Sequence, residues 1–213
     1  MTSSYLKVMD PLSDILSIVK PRSVFAARLE AGGKWCLRSP ALDNLRFGAV
    51  IAGGCWLAVE DAPPVYLEAG DSYFLTDGQP YRVGSDLGAP AIEMNDLIAG
   101  LVNGVAKLSQ VPDAILLGGR FSLDATNRSI LFEGLPPVIL VRAGSEQASV
   151  QKWVLERLAA ELLKDEAGVS AMVANLAELL LVQTLRDAMS SGSLPSGWLA
   201  ALGDTSPATP DCG

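Results

Sequence analysis

The chain has 213 residues, which favours a single domain because domains average about 150 residues. Hydrophobic residues make up 49% and charged residues 19% of the chain, and this composition excludes a disordered or fibrous protein. The net charge of −8 opposes the charge of a phosphate backbone, so we expect no direct binding of nucleic acid by this chain.

Residues 1–22 are expected to contain a helix at about 10–20. Asp10 is its N-cap candidate, Pro11 suits the first helical position, and Pro21 ends the run. Asp10 and Pro11 also stand where a signal peptide would be apolar, and no apolar stretch of the sequence approaches the length of a spanning helix. We therefore expect a cytoplasmic protein without a membrane segment.

Residues 23–145 carry the pattern of a β-domain. Short runs rich in β-branched and aromatic residues alternate with turn residues, which predicts an all-β barrel or sandwich. Residues 88–112 interrupt the pattern, with a helix expected around 96–102. The candidate strands are residues 24–29, 35–37, 47–52, 55–59, 65–67, 72–75, 81–83, 114–117 and 138–141.

Residues 146–204 are expected to be helical, and residues 205–213 resemble a disordered tail. The helix at 149–164 has one apolar stripe, whereas the helix at about 170–189 has two opposed apolar faces that need two partners. Either the chain covers both faces itself, or a second copy covers one. We expect a homodimer in which Gln183 lies near the centre of the interface, since an exposed face this apolar would otherwise promote aggregation. The residues expected in the interface are Met172, Leu176, Leu179, Leu180 and Gln183.

The sequence contains no histidine. This excludes Ser–His and Cys–His catalytic pairs, a histidine general base and every histidine-containing metal site. The cysteines, Cys36, Cys55 and Cys212, are scattered and odd in number, which fits reduced thiols better than a disulfide framework. We expect Cys36 and Cys55 to be small core residues.

Two stretches of the β-region resemble the sequence motifs of cupins. Residues 70–81 are similar to the second motif, with Thr76 in place of its proline and Tyr81 in place of its histidine. Residues 47–57 are similar to the first motif, in which a histidine is expected near Gly48. Flanking segments resemble the cupin-type N-terminal domain of AraC-type transcription regulators; they are residues 10–16, 118–121, 135–138, 179–186 and 197–202.

This resemblance covers residues 10 to about 204 and implies a mainly β fold with α, namely a cupin or jelly-roll β-barrel followed by a C-terminal helical pair. In that family the domain senses a small-molecule effector, pairs the subunits, and precedes helix-turn-helix DNA-binding units. After Asp204 the sequence shows no basic helix pair. We therefore expect a module that acts as a homodimer, or as a mixed dimer with a full-length regulator, without its own DNA-binding half.

Aromatic residues of the barrel are the candidate effector site. Trp56, Tyr73 and Tyr81 can hold a small molecule by stacking and hydroxyl hydrogen bonds, although such residues can equally fill a small barrel. Arg120, which follows two glycines, can meet an anionic ligand or form a structural ion pair.

We expect no metal, no cofactor and no catalytic residue. Without imidazoles a transition metal would depend on scattered loop acids, which we expect to be solvated. The hypotheses left open beside a non-catalytic sensor are a truncated regulator remnant without independent function and a cupin enzyme such as an isomerase or dioxygenase. The loop acids in question are Glu60, Asp61, Glu68 and Asp71.

Overall fold

A computed structural model describes residues 12–13, 23–42, 44–60, 62–123, 135–144 and 148–190. Of the helix expected at 10–20, only Leu12 and Ser13 fall within these ranges; both are helical, and Leu12 is buried. The rest of that helix, Cys212 and the tail expected at 205–213 lie outside the described residues.

The described strands form two sheets. The strands are β1 (Ser23–Ala31), β2 (Cys36–Ser39), β3 (Leu45–Ala52), β4 (Gly54–Val59), β5 (Val65–Glu68), β6 (Ser72–Leu75), β7 (Tyr81–Gly84), β8 (Ala91–Glu93), β9 (Val105–Lys107), β10 (Ala114–Ser122) and β11 (Val138–Val141). The first sheet has the order β11-β6-β3-β10-β1-β9 and the second the order β5-β4-β7-β2-β8. Neighbours are antiparallel, except that the edge strands β9 and β8 run parallel to β1 and β2.

The described helices are α1 (Met94–Ala99), α2 (Ala148–Glu161) and α3 (Val169–Ser190). The helices α2 and α3 pack on each other, and Gln151 of α2 donates a buried hydrogen bond to the hydroxyl of Thr184 at 3.1 Å. They also pack on the outer face of the first sheet, α2 against β3 and α3 against β1 and β11. Their apolar residues join the ring cluster of Phe47, Phe74 and Phe121 in one core.

The other face of the first sheet belongs to a second core, between the two sheets. Successive side chains of a strand point to opposite faces, so β3 sends Phe47 to the helix side and Arg46 to the space between the sheets. The strands β3 and β6 are therefore buried on both faces. Cys36 and Cys55 are both buried free thiols of the barrel, as the sequence predicts.

The sequence located most strands within a few residues but missed two. β8 and β9 have three residues each, which is too short to display a period of two. The helix between these two strands, α1, begins two residues and ends three residues earlier than the helix expected around 96–102. β10 is longer than expected because Gly118 and Gly119 continue the strand instead of ending it.

The interface predicted on the last helix is wrong for three of its residues. Leu176, Leu180 and Gln183 are 6%, 0% and 8% exposed because that face of α3 is covered within the chain. Leu181 and Leu185 are buried as well, so both faces found in the sequence are used inside the fold.

A narrower strip of α3 remains outward. Its spacing alternates between three and four residues, as along the seam of a coiled coil. The strip consists of Met172, Asn175, Leu179, Val182, Arg186 and Met189, which are exposed or half-buried. By length and composition α3 is also apolar enough to cross a membrane, contrary to the expectation from the sequence, although 44% of its most apolar 18 residues is buried in the fold.

Candidate functional site

A cavity lies between the two sheets, next to α1. Its volume is about 90 Å³, and it opens to solvent. Ligand sites of proteins typically have apolar walls and few polar groups. The walls here are largely apolar side chains, among them Leu29, Leu37, Leu97, Leu101, Ala106 and Leu116.

One row of residues across the first sheet brings two arginines to this cavity. Arg120 of β10 is directly opposite Phe25 of β1 on one side and Arg46 of β3 on the other. Residues paired across neighbouring strands point to the same face of a sheet. Arg46, Arg120 and Phe25 therefore all border the cavity.

The next row toward the interior carries small residues. Gly118 of β10 pairs with Ala27 and with Gly48. A Cβ on Gly118 would meet open space, whereas a Cβ on Gly48 would lie 2.3 Å from Cζ of Tyr73. The glycine at 118 thus leaves room in the cavity, and the glycine at 48 leaves room for a tyrosine ring.

Arg46 is 3% exposed and is held by uncharged acceptors. Its Nη1 donates to the Ser39 hydroxyl and to the Pro40 carbonyl oxygen, each at 3.1 Å, and its Nη2 donates to the carbonyl oxygen of Gln79. The guanidinium carbon lies 4.8 Å from the centre of the Tyr81 ring. Nε is buried and has no hydrogen-bond partner among the residues that the structure describes. Burial lowers the pKa of Arg46, but an arginine remains charged in a protein.

Tyr73 and Tyr81 meet edge to face beside Arg46, with ring centres 6.4 Å apart. The Tyr81 hydroxyl interacts with Ser39 and with Tyr73. Burial raises the pKa of both phenols, so both are protonated at neutral pH. The pair supplies hydroxyl groups and ring faces to the cavity wall but no negative charge.

The charges around the cavity have one sign. Its arginines are Arg28, Arg46 and Arg120, and none of the described residues that line it is acidic. Arg28 is neutralised by Glu30, which accepts from its Nε at 2.9 Å. Arg120 has its guanidinium carbon 5.3 Å from the centre of the Phe25 ring. Within the described part of the chain, neither Arg46 nor Arg120 forms an ion pair.

The structure divides the effector candidates of the sequence. Tyr73, Tyr81 and Arg120 lie on the cavity wall, but Trp56 does not. Cys55 and Leu57 of β4 point inward, so Trp56 between them points outward, where it is 40% exposed. It lies 5.1 Å from the ring of Tyr66 on the outer surface of the second sheet. The expectation that Trp56 faces the interior is therefore wrong.

Sequence reasoning missed Arg46, the most buried cation of the site. A signal was present, because Arg46 precedes Phe47 in a strand whose other residues are apolar or glycine. Strict alternation places this arginine on the face opposite Phe47, and both faces of a strand this apolar are expected to be buried. A charge at such a position is rare unless it has a function or a partner.

The loop acids that the structure describes do not form a metal-binding cluster. Asp71 is 4% exposed and accepts hydrogen bonds from Glu68 N at 3.0 Å, Ala143 N at 2.9 Å and Arg142 Nη1 at 2.7 Å. Burial raises its pKa, but these bonds outweigh burial and leave the pKa below its ordinary value. Glu60 and Glu68 are exposed, and Asp61 lies outside the described residues. In the ranges that the structure describes, no cluster of acidic, cysteine or histidine side chains could hold a metal ion.

Two sheets that enclose a cavity, with a helical pair behind one of them, define a cupin-type barrel with a C-terminal helical layer. The cupin family matches residues 10–190 of the chain. A putative AraC-like transcription regulator of Streptomyces antibioticus is 36% identical over 92% of the chain and 65% of the relative. A second one, from Streptomyces lividans, is 34% identical over 94% of the chain and 67% of the relative. The chain belongs to the cupin family, as the cupin-type domain of AraC-like transcription regulators.

The chain spans about two thirds of the length of these relatives. Among solved structures it is similar to ToxT from Vibrio cholerae, with a TM-score of 0.44 and 9% identity over 83% of the chain and 59% of ToxT. It is also similar to the AraC-like transcriptional activator CuxR, with a TM-score of 0.35 and 13% identity over 76% of the chain and 58% of CuxR.

Proposed function

We propose that this chain is a non-catalytic sensor module that binds a small-molecule effector in the cavity between its sheets. The observation that carries this proposal is the open space at Gly118, on a strand whose opposite face supports the helix layer. If the region between the sheets were only a packed core, other side chains would fill the space next to Gly118, because protein interiors are close-packed.

The described residues offer little for catalysis at this site. Both cavity phenols are protonated at neutral pH, and the cations that line the cavity cannot act as general bases. This supports a binding role over a cupin isomerase or dioxygenase. The names of the curated relatives as transcription regulators support the same role.

We propose further that the module forms a homodimer, or a mixed dimer with a full-length regulator, through the outward strip of α3. Leu179 and Val182 lie at its centre, and Met172 and Met189, which are 39% and 38% exposed, lie near its ends. A strip of this spacing in which four of the six residues are apolar suits a second helix. In this proposal the protein works in the cytoplasm, and the negative chain does not itself bind DNA.

A thermal-shift screen of the full chain against small metabolites tests the sensor role. An effector at about 100 times its dissociation constant stabilises the protein by about 2.7 kcal/mol. Gly118→Leu fills the cavity and should abolish the shift. Gly144→Leu makes the same substitution where a Cβ also meets open space, but outside the cavity, and should keep it. A shift that survives Gly118→Leu would contradict binding in the cavity.

A further inference from the structure

We infer that the cavity takes an apolar molecule bearing one carboxylate, and that Arg46 and Arg120 hold this group. The inference rests on the proposed effector role of the cavity and names the chemical class of the effector.

The first argument is the unusual position of the two cations. Arg46 and Arg120 are directly opposite on neighbouring antiparallel strands, on the face that borders the cavity. Like charges at directly opposite positions repel and destabilise a sheet. A bound anion would remove this repulsion by lying between them. Nothing in the described part of the chain plays that role, since Asp77, the one acid that acts on Arg46, is exposed and forms no ion pair with it.

The second argument is the state of the donors on Arg46. The Ser39, Pro40 and Gln79 oxygens and the Tyr81 ring hold the guanidinium in place, yet Nε is buried and has no partner within the described ranges. A buried donor without an acceptor is unfavourable. A guanidinium matches the planar geometry of a carboxylate, and the match is best when the guanidinium is already fixed.

The third argument concerns the rest of the ligand. Away from the arginines and from the polar groups of Ser39, Asn95, Tyr73 and Tyr81, the cavity wall is built from apolar side chains of the strands and of α1, with open space at Gly118. These apolar parts cannot satisfy a charged or hydroxyl group, and an unsatisfied polar group is costly to bury. The part of the molecule that lies against them is therefore a hydrocarbon chain or an aromatic body.

The test uses matched acids and amides on the full chain. Carboxylates from hexanoate to hexadecanoate, together with benzoate and naphthoate, are titrated by calorimetry beside the corresponding primary amides. We expect at least one acid to bind at least about tenfold more tightly than its amide, since charge-assisted hydrogen bonds are about twice as strong as neutral ones. Gly118→Leu should abolish the binding of that acid.

Arginine variants then assign the charge. Arg120→Gln should weaken binding of the acid by about tenfold or more and leave binding of the amide unchanged. Arg46→Lys keeps the charge but loses the planar guanidinium, so it should also weaken binding of the acid. Arg82→Gln removes one positive charge from an exposed residue outside the cavity, and it should change the binding of neither the acid nor the amide.

Each result decides between the two proposals. If acid and amide bind equally and Gly118→Leu abolishes both, the cavity is an effector site but the carboxylate inference is wrong. If acid binding survives Gly118→Leu or is lowered equally by Arg82→Gln, the acid binds elsewhere on the surface and the inference is overturned. If no acid of the series binds, the inference is likewise overturned, and the metabolite screen alone then bears on the sensor role.

Discussion

The ring of Tyr73 occupies the space directly above the α-carbon of Gly48, so that a Cβ on Gly48 would lie 2.4 Å from the Tyr73 hydroxyl oxygen. The cupin motifs that this sequence resembles would have a histidine near Gly48 and another at the position of Tyr81. The Tyr73 ring contacts both positions, lying over Gly48 and 6.4 Å from the ring of Tyr81. A phenol thus fills the space beside the two motif positions.

Gly48→Ala is expected to destabilise the protein by about 1–3 kcal/mol, because the added methyl group overlaps a ring in a packed barrel. Tyr73→Ala should be destabilising on its own. In the double variant the methyl group no longer meets the ring. The double variant should therefore lose less stability than the sum of the losses in the two single variants. Chemical denaturation of the four proteins measures this coupling, and strict additivity would contradict the contact.

We expect the purified protein to bind no transition metal stoichiometrically. Tyr81 is a poor ligand at neutral pH because burial raises the pKa of its phenol, and Gly48 carries no donor atom. Elemental analysis after dialysis is the measurement. Zinc, iron, nickel or manganese near one equivalent per chain would contradict this expectation and favour the enzyme hypothesis.

Asp71→Asn is expected to lower the free energy of unfolding at neutral pH by about 1.5–3 kcal/mol, since the charged carboxylate accepts bonds from two backbone amides and Arg142. The pKa of Asp71 is lowered in the folded protein, so its contribution is present above the unfolded pKa and is lost as the pH falls through the folded pKa. The stability difference between wild type and Asp71→Asn should therefore shrink on acidification. A difference that stays constant down to the acid transition would refute this role.

The oligomeric state distinguishes the two faces of α3. Leu179→Asp with Val182→Asp changes half-buried residues of the outward strip and should give a folded monomer by light scattering and circular dichroism. Leu176→Asp with Leu180→Asp places charges in the core and should unfold the chain instead. A monomeric wild type, or a dimer that persists in the first variant, would sink the proposed interface.

The sequence predicted the architecture well because periodicity reports burial. The strands 72–75 and 138–141 have the observed bounds, since turn residues flank runs of apolar and aromatic residues on both sides. The helical pair was likewise foreseen from its spacing. That the chain itself covers both apolar faces of α3 was not, because a helix that is apolar on two sides does not state whether the same chain covers each of them.

The site was harder to predict than the fold. Tyr73 and Tyr81 were found through a motif, but Trp56 was assigned to the wrong side because the parity of a short strand depends on its register. Arg46 is recognised as a site residue only when the strand pairing places Arg120 of β10 directly opposite it. That pairing joins residues far apart in the chain, and local patterns do not report it.

Gly118 and Gly119 are consecutive but belong to different compartments of the molecule. A Cβ on Gly118 would enter the cavity, whereas one on Gly119 would lie 2.3 Å from Cζ of Phe47, in the aromatic cluster beneath the helices. The two faces of this one strand therefore border the cavity on one side and the Phe47 ring on the other. The cavity and the aromatic cluster beneath the helical pair are thus separated by the thickness of a single strand, so that a ligand in the barrel and the helical layer would lie on opposite faces of the same backbone.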